Sequence, residues 1–186
     1  MKKHKAKFSF SLAMVITILA GTIGAETCVS LLAAVLVHEC GHIAAIHIGG
    51  MKVIGVRPEL SGLKIIYSET GSSKAELFSA LAGPFAGAIY YLILRKVEGM
   101  WALSGQLSLL YTLFNLLPAK ELDGGRILSL LAAELLGEEE GRNLTELCSV
   151  LVCAAFLVFG IVLFVKGEGG GMFAAGIWLL VLHKGN

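Results

Sequence analysis

Val37-His38-Glu39-Cys40-Gly41-His42-Ile43 lies inside an apolar run from Glu26 to Ile48, and two imidazoles flanking an acid do not persist in lipid-soluble sequence without a function. On a helix, His38 and His42 are four residues apart and project from one side, close enough to grip one metal ion with two nitrogens. Glu39 is off that axis by about one helical step of 100°. This position suits a group that takes a proton from water better than one that binds the metal.

A zinc site with an open catalytic position needs a third protein ligand. The chain contains a single aspartate, Asp123, in Asn115-Leu-Leu-Pro118-Ala-Lys-Glu-Leu-Asp123-Gly124-Gly125-Arg126. Pro118 interrupts a helix there, and irregular backbone at membrane depth survives only where it lines a wet or protein-filled cavity. A ligand loop is therefore expected, in which the glycines let the chain turn so that Asp123 reaches the histidines. Two nearby donors are set aside. Cys40 points about 200° around the helix from His38, and His47, nine residues after His38, lies near the opposite face.

Composition agrees with a membrane setting. Of 186 residues, 56% are hydrophobic and 16% charged, against about 25% charged in soluble domains. A net charge of +1, without a basic stripe and interleaved aromatics, excludes nucleic acid as a partner. Cys28, Cys40, Cys148 and Cys153 show no CxxC spacing and read as buried small hydrophobes rather than a disulfide framework or a cysteine metal site.

Taken together, the two motif stretches resemble the site-2 protease family of intramembrane zinc metalloproteases. The family pairs HExxH with Asn-x-x-Pro-x-x-x-x-Asp-Gly, matched here by Asn115, Pro118, Asp123 and Gly124, with a small-residue stretch between them resembled by Ala82-Gly83-Pro84-Phe85-Ala86-Gly87. The matches spread from about residue 8 to 130, roughly two thirds of the chain. Many members have a second proline two residues before the aspartate. Glu121 stands there instead, which leaves the metal site intact and bears on the shape of the loop.

In chain order, Lys2, Lys3, Lys5 and Lys7 precede an apolar run that fits a signal peptide or a retained first helix over about 8–24. The retained helix is favoured, because Ile23 occupies a position where cleavage needs a small residue. The second span covers 26–48. Lys52 to Val56 and Leu63 to Tyr67 are β-branched runs separated by turn residues, so a short β-hairpin over 51–67 is expected, with an ordinary connecting loop as the alternative. The resemblance implies strands near the active site here, whose edge pairs with an unwound substrate. The third span, 75–94, carries a smooth Gly83-x-x-x-Gly87 face that suits close approach of another helix, that of the metal motif or any neighbour.

The fourth span covers 101–117. Asn115, near its end, is a candidate to offer its amide to a substrate carbonyl, or else a cap or interhelical hydrogen bond. Ile127 to Leu136 reads as a helix leaving the membrane into a solvated acidic turn, Gly137 to Gly141, whose glutamates carry no chemistry. Spans five and six are expected over 144–165 and 167–182. The fold class is thus an all-α polytopic membrane protein of about six transmembrane helices with one hairpin, a single domain over 1–186 without the PDZ or CBS modules of many relatives.

Basic residues collect on the cytoplasmic side of membrane proteins. With six spans and the N-terminus inside, Lys2, Lys3, Lys5, Lys7, Lys52, Arg57, Lys64, Lys74, Lys120, Arg126, Arg142 and Lys184 fall on the cytoplasmic side, against Arg95, Lys96 and Lys166 outside. That sets both motifs toward the cytoplasmic half of what is expected to be the bacterial cytoplasmic membrane.

The resemblance implies a zinc endopeptidase acting on membrane proteins or peptides within the bilayer, with Zn²⁺ on His38, His42 and Asp123, Glu39 as the general base and Asn115 on the substrate. It further implies regulated intramembrane proteolysis, and the early HExxH and six-span layout look most like the stage IV sporulation protein FB type, which matures a sigma-factor precursor. Two rivals use the same residues: a catalytically silent relative that binds membrane segments, and a metal transporter. Complete motifs count against the first. The lack of a second His or Asp cluster along a path counts against the second.

Overall fold

The computed structural model describes residues 23–51, 53–59, 62–67 and 73–185. The span expected over 8–24 lies outside these residues except for Ile23 and Gly24. Six helices and one two-stranded sheet follow: α1 (Ala25–Ile48), β1 (Val53–Glu59), β2 (Gly62–Tyr67), α2 (Ser73–Leu94), α3 (Met100–Asn115), α4 (Asp123–Leu136), α5 (Glu138–Val165) and α6 (Gly171–Gly185). β1 and β2 pair antiparallel, with Val56 opposite Ile65, Arg57 opposite Lys64 and Pro58 opposite Leu63. Residues 60 and 61, between the strands, are outside the described set.

Polarity runs inside out. Ser30, Ser79, Ser104, Ser108, Thr112 and Ser149 are buried, whereas Phe85, Leu135 and Val165 are 69, 80 and 79% exposed. Such a surface is costly in water and natural in lipid, where helices associate through small residues and interhelical hydrogen bonds. The buried hydroxyls act in this way. Ser104 Oγ donates to the Ser30 carbonyl at 2.9 Å and Ser30 Oγ to the Met100 carbonyl at 3.2 Å, stitching α1 to α3. Ser108 Oγ donates to the Gly87 carbonyl at 3.0 Å, stitching α3 to α2. Three helices, α1, α2 and α5, are long and apolar enough to cross a membrane. The other described helices, α3, α4 and α6, have 16, 14 and 15 residues.

Helices α1, α2 and α3 pack against one another, α4, α5 and α6 follow in sequence, and α2 meets α4 between the two groups. Glycines set the close approaches. A Cβ on Gly41 would lie 2.5 Å from the Ala82 carbonyl oxygen, and one on Gly87 would lie 2.3 Å from Thr112 Oγ1. The small-residue face of α2 therefore serves both α1 and α3.

Three expectations change. Asp123 is the first residue of α4 rather than part of a loop ending near residue 126, because Gly124 and Gly125 let this turn press on the preceding backbone. Cβ atoms there would lie 2.1 Å from the Leu116 oxygen and 2.0 Å from the Ala119 oxygen. Residues 138–141 are helical rather than a solvated turn. Gly137 breaks the chain at φ 97, and Glu138, Glu139 and Glu140 occupy the first turn of α5, where acidic side chains complement the helix dipole. The last helix starts at Gly171 rather than 167, since Gly167 and Gly169 take φ 78 and 104, open to glycine and poor for helix.

Candidate metal centre

His38 and His42 sit on one face of α1, their ring centroids 4.9 Å apart and interplanar angle 74°, as the four-residue spacing demands. Their Nε2 atoms are 3.1 Å apart. Asp123, delivered at the start of α4, places Oδ2 2.9 Å from His38 Nε2 and 3.2 Å from His42 Nε2. His38, Glu39 and His42 are all buried. His47 and Cys40 are exposed, away from this cluster. Cys40 thus departs from the expected burial, which Cys28 and Cys153 show, while Cys148 is half-buried.

Each ring is oriented by the neighbouring helices. His42 Nδ1 donates to the Ser79 carbonyl of α2 at 2.7 Å, so Nδ1 carries a proton and, in the neutral ring, Nε2 keeps a lone pair. The ring fits because Gly83 lacks a side chain, since a Cβ there would lie 2.2 Å from His42 Nε2. His38 meets the Tyr111 ring of α3 edge-on at 4.9 Å. Asn115, one turn beyond Tyr111, is buried and its Nδ2 donates to the Tyr111 carbonyl at 2.9 Å. That bond stays within α3 and joins it to no other helix, unlike the interhelical bond expected as one alternative to a substrate contact.

The residues fit a divalent metal. A carboxylate accepts only, so with a neutral His42 ring the Nε2 lone pair facing Asp123 Oδ2 at 3.2 Å suits a cation held by both. Tetrahedral ligands about 2.0 Å from zinc lie about 3.3 Å apart, within a few tenths of an ångström of the three separations found. His38, His42 and Asp123 are also the one group of at least three His, Cys, Asp or Glu donors among the described residues close enough to share an ion.

Ser79, Tyr111 and the seat at Gly83 are contacts that motif spacing does not name. Periodicity carried a faint signal for each: Ser79 lies one turn before Gly83 on the small-residue face, and Tyr111 shares a face with Asn115. Glu121, where the resembled family often has proline, turns its side chain inward to 1% exposure, against His183 of α6.

Comparison with known proteins bears on the whole arrangement. Residues 73–160 match the profile of peptidase family M50, a stretch that includes Asn115 and Asp123 and lies beyond the two histidines. A Synechocystis protein named as a zinc metalloprotease is 28% identical over 128 residues, 63% of this chain and 34% of that protein. The chain therefore spans about a third of the length of that curated relative. The site-2 protease from Methanocaldococcus jannaschii superposes with a TM-score of 0.74 at 20% identity, over 94% of this chain and 85% of that one. The chain has the fold of that site-2 protease, and the buried His–His–Asp cluster stands within it.

Proposed function

We propose that this chain is an intramembrane zinc metalloprotease of the site-2 protease type, hydrolysing peptide bonds in or near transmembrane segments of membrane-bound substrates. The observation that carries this reading is the convergence of His38, His42 and Asp123 at 2.9–3.2 Å. These three side chains would hold the metal. Zinc bound there supplies a Lewis acid that polarises the scissile carbonyl and makes water acidic near neutral pH. Glu39, buried beside the pair on the same helix, takes a proton from the attacking water and returns it to the leaving amine as the C–N bond breaks. Asn115 spends one amide hydrogen on Tyr111, which leaves the second for the substrate carbonyl. A stable helix hides its peptide bonds, so substrates unwind locally and helix-breaking residues near the cut are favoured.

The same reading assigns a single multi-pass domain of six spans, N-terminus inside, with its site toward the cytoplasmic half of a bacterial cytoplasmic membrane. The basic-residue bias supports that orientation. It also assigns regulated intramembrane proteolysis, with a sigma-factor precursor of the sporulation type as the candidate substrate. The test is cleavage by the purified full chain with one equivalent of zinc, on an unstructured or membrane-spanning peptide. Expected is zinc-dependent cleavage that Glu39→Gln abolishes; equal rates for the two proteins would sink the assignment. Comparing membrane proteomes of cells carrying either form identifies the natural substrate.

A further inference from the structure

We propose that His183, near the end of α6, is a positioning residue for Asp123, acting through the buried carboxylate of Glu121. The proposal rests on the metal-site reading above. It concerns what holds the third ligand in place.

The segment before Asp123 is held by the α5–α6 pair. Ala119 and Leu122 are buried with Cys153 of α5 and Leu179 of α6, and Trp178 packs on the same cluster. The Lys120 N–H donates to Ser149 Oγ at 2.8 Å. Lys120 Nζ lies 3.2 Å from Glu146 Oε2. Beside these contacts, His183 lies between two carboxylates: its Nδ1 is 3.5 Å from Glu121 Oε1 and its Nε2 is 3.3 Å from Glu146 Oε1. Loop, α5 and α6 are thus joined through one imidazole.

Burial makes this contact matter. The Glu121 side chain is 1% exposed, neither of its oxygens has a hydrogen-bond partner, and an unpaired carboxylate in that setting is costly. Among the described residues His183 is the basic side chain beside it, at 3.5 Å, an ion pair when the imidazole is protonated. Without the imidazole, Glu121 gains by turning toward solvent, and the backbone turns with it. Asp123 is two residues on, and the chain between has no slack. Leu122 is buried, and Gly124 and Gly125 press against the Leu116 and Ala119 carbonyls closely enough to exclude even a methyl group. A displacement at Glu121 therefore moves the Asp123 carboxylate relative to His38 and His42. Residues 161–185, outside the stretch matched to family M50, complete the metal centre in this way.

The experiment measures zinc affinity of the purified full chain by chelator competition, with no substrate present. Groups that orient a ligand typically change metal affinity by about 10- to 100-fold. Acting through the backbone, His183→Ala is expected to weaken zinc binding by about tenfold, whereas Glu121→Gln, which leaves no buried charge, should bind zinc nearly as the parent does. Removing the stranded charge as well should restore affinity, so the Glu121→Gln/His183→Ala double variant is expected to bind zinc more tightly than His183→Ala alone. His183→Leu, which keeps bulk at that position and likewise leaves Glu121 unpaired, is the decisive arm where His183→Ala does not purify as one species. Parental affinity in His183→Ala and His183→Leu, or a double variant as weak as His183→Ala alone, overturns the proposal while leaving the metal centre standing. A parent chain that takes up no zinc overturns the metal reading, and this proposal with it.

Discussion

Nε2 of His42 lies 3.2 Å from Oδ2 of Asp123, 81 positions away in the sequence, and His42 Nδ1 is already committed to the Ser79 carbonyl. With the ring neutral, two acceptor lone pairs therefore face each other in a buried site. A metal ion shared by the two, or a second proton on the imidazole, satisfies both groups, and the outcomes below separate the two.

Removing a ligand should remove the metal. His42→Ala and Asp123→Asn are expected to lower zinc affinity by on the order of 100-fold or more, since each leaves two of three protein donors. Metal content after gel filtration reads this directly, and near-stoichiometric zinc in either variant contradicts the assignment.

Glu39→Gln separates chemistry from binding. The amide keeps the size of the side chain and does not accept the proton, so zinc content should stay at the parental level. The cleavage rate should fall by roughly 10²–10⁴. Loss of zinc together with activity would make Glu39 a ligand instead.

Gly83→Ala probes the seat of His42. The added methyl would come within 2.2 Å of Nε2, so the ring must leave its place or α2 must back away from α1. A destabilisation of about 1–3 kcal/mol is expected for such overpacking, with zinc affinity falling alongside it. Thermal unfolding in detergent and metal titration check the two effects, and parental values in both would refute the packing described.

Chelation should destabilise the folded chain reversibly. A metal that binds only the folded state at 100 times its Kd contributes about 2.7 kcal/mol. Stripping with a zinc chelator should lower the melting temperature and abolish cleavage, and one equivalent of zinc should restore both. A melting temperature indifferent to zinc would count against a shared ion.

The lipid-facing surface can be tested on α5. Leu151 is 59% exposed midway along that helix, so Leu151→Arg places a charge against hydrocarbon at a cost of about 2.5–3.5 kcal/mol. The variant should integrate poorly in a membrane-insertion assay. Unchanged integration would mean that this face does not meet lipid.

Much of the site is written in local sequence. Helical periodicity alone puts His38 and His42 on one face, and a chain with one aspartate has one candidate for an aspartyl ligand. Composition likewise announces a membrane protein, because too few charged residues exist to cover a soluble surface. What local sequence could not decide is how the partners meet. The start of α4 at Asp123 depends on Gly124 and Gly125 pressing on carbonyls several residues back, and the helical first turn at Glu138 depends on Gly137 breaking the chain just before it.

The remaining decisions belong to tertiary structure. The His42 tautomer is set by a carbonyl 37 residues away, and its seat by a missing side chain on another helix. The role of Glu121 becomes visible only when α6 brings His183 beside it. Periodicity reports which face of a helix a residue occupies, and it holds no record of which other helix that face will meet. Only packing supplies that, so the donors were legible in the sequence while the contacts that aim them were decided by the fold.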